Sequence, residues 1–169
     1  HLRGPDHTEI VNQYGLTFVH FLLSITGNKV IQPITNGHAT ALANGEIYNH
    51  DVFGTFASDC ECIIPVFNEF GNTFPQHLDG EFAIVIVDWE SRKIIMSTDT
   101  FATKPLYYSI ESGEFGIASY PSSLIAAGFT SPIKVPANTI LELNLNTLAI
   151  QLIGAVTTFS LTQSVTDVT

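Results

Sequence analysis

Gly15–Ile25 (GLTFVHFLLSI) is long, mostly apolar and β-rich, a pattern that predicts a buried strand. Gly27, Asn28 and Pro33 interrupt it. His38–Ala43 predicts a short strand that runs into Asn44-Gly45. Ser58-Asp59-Cys60-Glu61 fits a capping box, with Ser58 as N-cap and Glu61 reaching back. Cys62, Ile63, Val66, Phe67 and Phe70 come next at helical spacing, and Gly71 ends the helix. Pro65 lacks an amide and clashes with a preceding turn, so the helix either kinks there or becomes regular only near Ile64. Glu81–Asp88 and Arg92–Thr98 predict a hairpin across Trp89-Glu90-Ser91. Lys104–Ser109 and Glu114–Ser119 predict a second, turning at Ser112-Gly113. Pro121–Ala127 reads as a short helix. Thr139–Leu145 and Leu148–Ile153 form a last hairpin across Asn146-Thr147. Phe21, Phe67, Phe70 and Phe82 read as core. Many strands with few helices set between them predict an α+β layered fold with two sheets.

Composition narrows the function. The 169 residues are 45% hydrophobic and 13% charged, enough for one domain with a core and sparse in surface charge. That sparseness suggests a surface covered by a protein partner or a second domain. The net charge is −10, and the six cations are scattered, which excludes a nucleic-acid surface and binding to anionic membranes. No apolar run reaches the length of a membrane span. The first residues show no signal-peptide core and no initiator Met, so the chain reads as processed, cut or incomplete. Cys60 and Cys62 are too close to bridge, which favours a reducing, intracellular compartment. The six histidines show no metal-ligand spacing. Nothing calls for a cofactor.

Candidate chemistry begins with Asn44-Gly45. As a dipeptide, Asn-Gly most often makes a hairpin turn. Its neighbours suggest more. Arg3-Gly4-Pro5-Asp6, His20 with Leu23-Ser24-Ile25, Gln32-Pro33-Ile34, Asn44-Gly45-Glu46-Ile47-Tyr48-Asn49, Ser58-Asp59-Cys60-Glu61, His77-Leu78-Asp79-Gly80-Glu81-Phe82-Ala83, and Asp99-Thr100-Phe101 with Lys104-Pro105-Leu106-Tyr107-Tyr108 occur in order. Together they resemble the glutaminase domain of asparagine synthetases, a class II (type 2) glutamine amidotransferase. The resemblance covers residues 1–153 and leaves 154–169 as an irregular tail or linker. It implies a four-layer αββα sandwich of the N-terminal-nucleophile hydrolase type, with two antiparallel sheets, and hydrolysis of glutamine to glutamate and ammonia.

That chemistry needs an attacking thiol, a base, two donors for the oxyanion and charges that grip the amino-acid end. The resemblance places Asn44 (side-chain amide) and Gly45 (backbone N–H) at the oxyanion positions. It places Asp59 where the family pairs the substrate ammonium, and Glu46 in the pocket lining. The family's nucleophile is an N-terminal Cys, upstream of Arg3 in the family's order. Cys60 and Cys62 fall inside the capped helix and do not substitute for it.

The chain also departs from the pattern. Leu22 stands where the family's His-x-Arg-Leu-Ser-Ile motif has the Arg that binds the glutamine carboxylate. An apolar group cannot repay a carboxylate's desolvation, and losing such a partner costs about 2–5 kcal/mol of binding. Thr98 stands for an Arg, Ala102 for a Gly, and Tyr120-Pro121-Ser122 for Glu-x-Lys. Asp59 can equally be a first-turn acid favoured by the helix dipole, and Lys104 either a pocket cation or a solvated side chain. Two functions are compatible with this set. One is an inactive, structural or assembly domain of a larger protein or complex, with a residual glutamine-like pocket. The other is an active glutamine-hydrolysing domain.

Overall fold

The structure, a computed structural model, describes residues 4–23 and 29–158. Arg3, Ser24, Ile25 and the tail from 159 onward lie outside the described residues.

A six-stranded antiparallel sheet forms the centre. In spatial order it runs β11 (Ile150–Gly154), β10 (Thr139–Asn144), β6 (Lys93–Thr98), β5 (Gly80–Asp88), β4 (Ala39–Ile47) and β3 (Ile34–Thr35). Strand periodicity sends alternate residues to opposite faces. Ala41, Ala43, Phe82, Ile84, Ile86, Ile95 and Ile140 enter one core. Leu42, Ala83, Val85, Val87, Ile94, Met96, Leu141 and Leu143 enter the other. Both faces are covered, which is why Phe82–Val87 is apolar at every position rather than at every second one.

The first core is closed by α1 (Ile63–Phe70) and the adjoining 3-10 segment Gly71–His77. Ser58 is the N-cap of a 3-10 turn over Asp59–Cys62, and the Glu61 carboxylate accepts the Ala57 and Ser58 amides at 2.7 and 3.0 Å. The capping box therefore starts a 3-10 turn, and the regular helix begins at Ile63. Pro65 then falls in its first turn, where a missing amide costs little. Gly71, at φ 58°, ends the helix.

The second core is closed by a three-stranded sheet, β8 (Glu114–Ala118), β7 (Tyr107–Glu111) and β9 (Ile133–Lys134), and by the hairpin of β1 (His7–Gln13) and β2 (Leu16–Leu22). Tyr108, Ile110, Phe115 and Ile117 point inward to the central sheet. On the outer face, a Cβ at Gly116 would lie 2.7 Å from a Leu124 methyl and 2.6 Å from the Phe129 ring. This glycine is what allows α2 (Pro121–Ala126) to lie against β8. The four layers are helix, sheet, sheet and helix, as expected, and every pairing is antiparallel.

Three expectations need correction. β2 is not a buried strand: among the described residues it pairs only with β1, and of its own residues only Phe18 is buried. Phe21 is not core, being 47% exposed on the outer face of that hairpin. β4 does not stop at Ala43 but runs on to Ile47, so Asn44-Gly45 is strand, not turn. Among the described residues no helix is long and apolar enough to cross a membrane.

Candidate functional site

Asn44, Gly45 and Glu46 lie on the last stretch of β4, opposite Ala83, Phe82 and Glu81 of β5. The two strands touch unusually closely here. A Cβ at Gly45 would sit 2.0 Å from the Glu81 carbonyl oxygen, and one at Gly80 would sit 2.2 Å from that of Glu46. Both positions demand glycine for backbone approach alone.

The direction of the Gly45 amide is set by ladder parity. Phe82 turns its amide and carbonyl toward Asp99: its N–H donates to Asp99 Oδ2 at 3.0 Å, and its carbonyl accepts the Asp99 N–H at 2.9 Å. In an antiparallel ladder successive residues alternate sides, so Asn44 bonds to β5 and Gly45 faces the opposite edge. Its neighbours on that edge behave accordingly. Ala43 N–H donates to Gln32 Oε1 at 2.7 Å, and Ile47 N–H donates to Asp59 Oδ2 at 2.7 Å. Gly45 N–H lies between them, beyond the two residues of β3. The half-buried Asn44 side chain has no hydrogen bond to any described residue. Two donors, one main-chain and one side-chain, are thus available on adjacent residues of a fixed strand.

The segment after β4 is strapped down. Tyr48 N–H donates to the Asp79 carbonyl at 2.7 Å, while the Asn49 amide donates to the His77 carbonyl at 2.9 Å and accepts the Asp79 N–H at 2.8 Å. Asp99, 3% exposed, accepts further bonds from Phe101 N, Thr103 N and Thr103 Oγ1. It fixes the 99–103 loop behind Phe82. Nothing but its place in a motif marked Asp99 in the sequence, and its role is structural.

The charges here are mainly negative. Glu46 is exposed, Glu81 faces it across the strands, and Lys104 Nζ reaches Glu81 Oε2 at 3.4 Å. Partial desolvation, then the Glu81, Glu46, Asp79 and Asp99 charges, push the Tyr48 phenol up.

Asp59 is committed to the fold: besides Ile47 N–H it accepts the Ser58 hydroxyl at 3.0 Å. Leu22 ends β2 opposite His7, half-buried and in neither core. The structure brings Asn44, Gly45, Glu46 and Asp59 together through β4 and the bond from Ile47 N–H to Asp59. Thr98 is fully buried and donates to the Pro136 carbonyl at 2.6 Å, a place with no room for a solvated Arg. Cys60 and Cys62 are free and buried in the 3-10 turn. Burial, then the Asp59 charge, raises both thiols, Cys62 to about 12. Neither supplies a thiolate, the form that attacks. Among the described residues no group of His, Cys, Asp and Glu is placed to hold a metal.

A sandwich of two antiparallel sheets between helical layers is the frame of a class II glutamine amidotransferase. The family model for the glutamine amidotransferase domain matches residues 1–157, and the chain belongs to that family. It is 34% identical over 143 residues to an amidase, chyE, of Penicillium rubens, covering 75% of this chain and 21% of that protein. It is 34% identical over 134 residues to glutamine-hydrolysing asparagine synthetase 1 of Saccharomyces cerevisiae, covering 72% and 23%. The chain thus spans about a fifth to a quarter of the length of these relatives. Among solved structures, the glutamine phosphoribosylpyrophosphate amidotransferase of B. subtilis superposes with a TM-score of 0.66 at 18% identity, over 82% of this chain and 34% of that one. This confirms the fold of an asparagine-synthetase-like glutamine amidotransferase domain.

Proposed function

We propose that this domain keeps the oxyanion donors of a glutamine amidotransferase but does not hydrolyse free glutamine. It serves instead as a non-hydrolysing domain or assembly subunit of a larger protein or complex. Leu22 carries this reading. Where the family grips the substrate carboxylate with Arg, this chain offers an aliphatic group that forms no ion pair. Two candidate pocket groups are also engaged within the fold: Lys104 pairs with Glu81, and Asp59 accepts the Ile47 amide. The test is an ammonia-release assay on the full-length protein that carries this domain, with free glutamine as substrate. We expect no glutamine-dependent ammonia, together with co-purification at fixed stoichiometry in a larger assembly. Turnover near the enzyme median of about ten per second would overturn the reading.

A second reading, an active glutamine-hydrolysing domain, is favoured by the retained Asn44–Gly45 pair and by relatives named as glutamine-hydrolysing synthetases. It requires a thiol other than Cys60 and Cys62. Ammonia release that a thiol alkylator abolishes would establish it.

A further inference from the structure

We propose that Gln32 is a positioning residue for the donor pair. By capping Ala43, it stops the β3–β4 ladder and keeps the Gly45 amide open. The inference rests on reading Asn44 and Gly45 as oxyanion donors, and it adds how one of them is kept available.

The register makes the case. β3 and β4 pair Ile34 with Ala41 and Thr35 with Thr40. Carried on two residues, that register sets Gln32 opposite Ala43; two more set Val30 opposite Gly45. Had the ladder continued, the main chain at Val30 would take the Gly45 N–H and close the site. It does not continue. At Gln32 the side-chain oxygen, not a backbone carbonyl, accepts Ala43 N–H at 2.7 Å. The side chain is committed to this task, since Gln32 is 6% exposed despite being polar. A buried amide left without a partner is costly, so an acceptor is needed at this point, and a side-chain acceptor satisfies Ala43 without extending the strand. Asp59 does the same for Ile47. The edge of β4 is thus closed on both sides of a single open amide. An unpaired edge invites pairing, and here the opening is limited to one residue.

Residue-resolved amide exchange on the protein, tracked by NMR, tests this. In the unmodified protein Ala43 and Ile47 amides should be protected, and the Gly45 amide should exchange at least ten-fold faster than either. Equal protection at the three positions would overturn the proposal. Gln32→Val removes the acceptor and favours strand. We expect it either to speed Ala43 exchange at least ten-fold or to protect Gly45 as the ladder extends. Gln32→Glu keeps an acceptor oxygen and should restore the original pattern. An unchanged pattern in Gln32→Val, or a Gln32→Glu pattern identical to a disrupted Gln32→Val, would refute the positioning role. The wild-type comparison stands even if a variant fails to fold. Because exchange is read without turnover, this outcome is separate from that of the ammonia assay.

Discussion

At the scale of the residue, Gly45 has two features, and only the first of them requires glycine. Its Cβ-less backbone fits against Glu81, and its amide faces an open edge. Gly45→Ala places a methyl against the Glu81 carbonyl, so we expect a loss of about 3 kcal/mol or more in denaturant unfolding. This change alone says nothing about catalysis, since the packing requires glycine whether or not the site is used. The two thiols lead to a second expectation. With both buried and shifted upward, alkylation at mildly alkaline pH should be slow in the native protein and complete in denaturant. A thiol alkylated rapidly without unfolding would show that the 3-10 turn opens.

At the scale of the element, local signals read best where one rule acts alone. The β5–β6 and β7–β8 hairpins, the Gly71 stop and α2 all stand where their patterns place them. β1 gives little sign of itself because His7–Gln13 alternates exposed with merely half-buried positions, and polar residues occupy both. Its turn is visible only in Tyr14 and Gly15, which take φ of 49° and 84°. The Asn44-Gly45 pair misleads as a local signal, since β5 supplies the long-range pairing that turns an apparent turn into strand. The acceptors Gln32 and Asp59 are not legible as strand-edge caps at all, because their partners are set by tertiary register.

The β7–β8 hairpin carries its own pH dependence. Glu111 accepts the Ser109 hydroxyl and the Thr130 and Ser131 amides, which lower its carboxyl to about 2. A folded value below the unfolded one stabilises the native state above about pH 4.3 and is lost as pH falls toward 2. The melting-temperature gap between the native protein and Glu111→Gln should therefore be widest above about pH 4.3 and shrink through that acid window. A gap that stays constant across the window would contradict the assignment.

At the scale of the whole molecule, the central sheet is pinned to its helical layer by a polar network around the buried Glu142. Glu142 on β10 accepts Lys93 Nζ from β6 at 3.0 Å, Gln151 Nε2 from β11 at 2.9 Å and Asn72 Nδ2 from the 3-10 segment at 2.5 Å. Removing the cation leaves a buried carboxylate short of its charge partner. Lys93→Ala should therefore cost about 2 kcal/mol or more in thermal or denaturant unfolding. Lys93→Ala combined with Glu142→Leu should recover part of that loss, because it removes the orphaned charge with its partner.

The apolar run on β5 has a consequence for synthesis and refolding. Phe82–Val87 is harmless only once both neighbouring layers have closed over it. Before that it is a short, uncharged, β-forming segment of the kind that self-associates between copies of a chain. Glu81 and Asp88 stand at its two ends as charged gatekeepers. Both carboxylates also serve the folded state, Glu81 by pairing with Lys104 and Asp88 by accepting the Glu90 and Ser91 amides of the β5–β6 turn, so neutralising the two should lower soluble yield as well as stability.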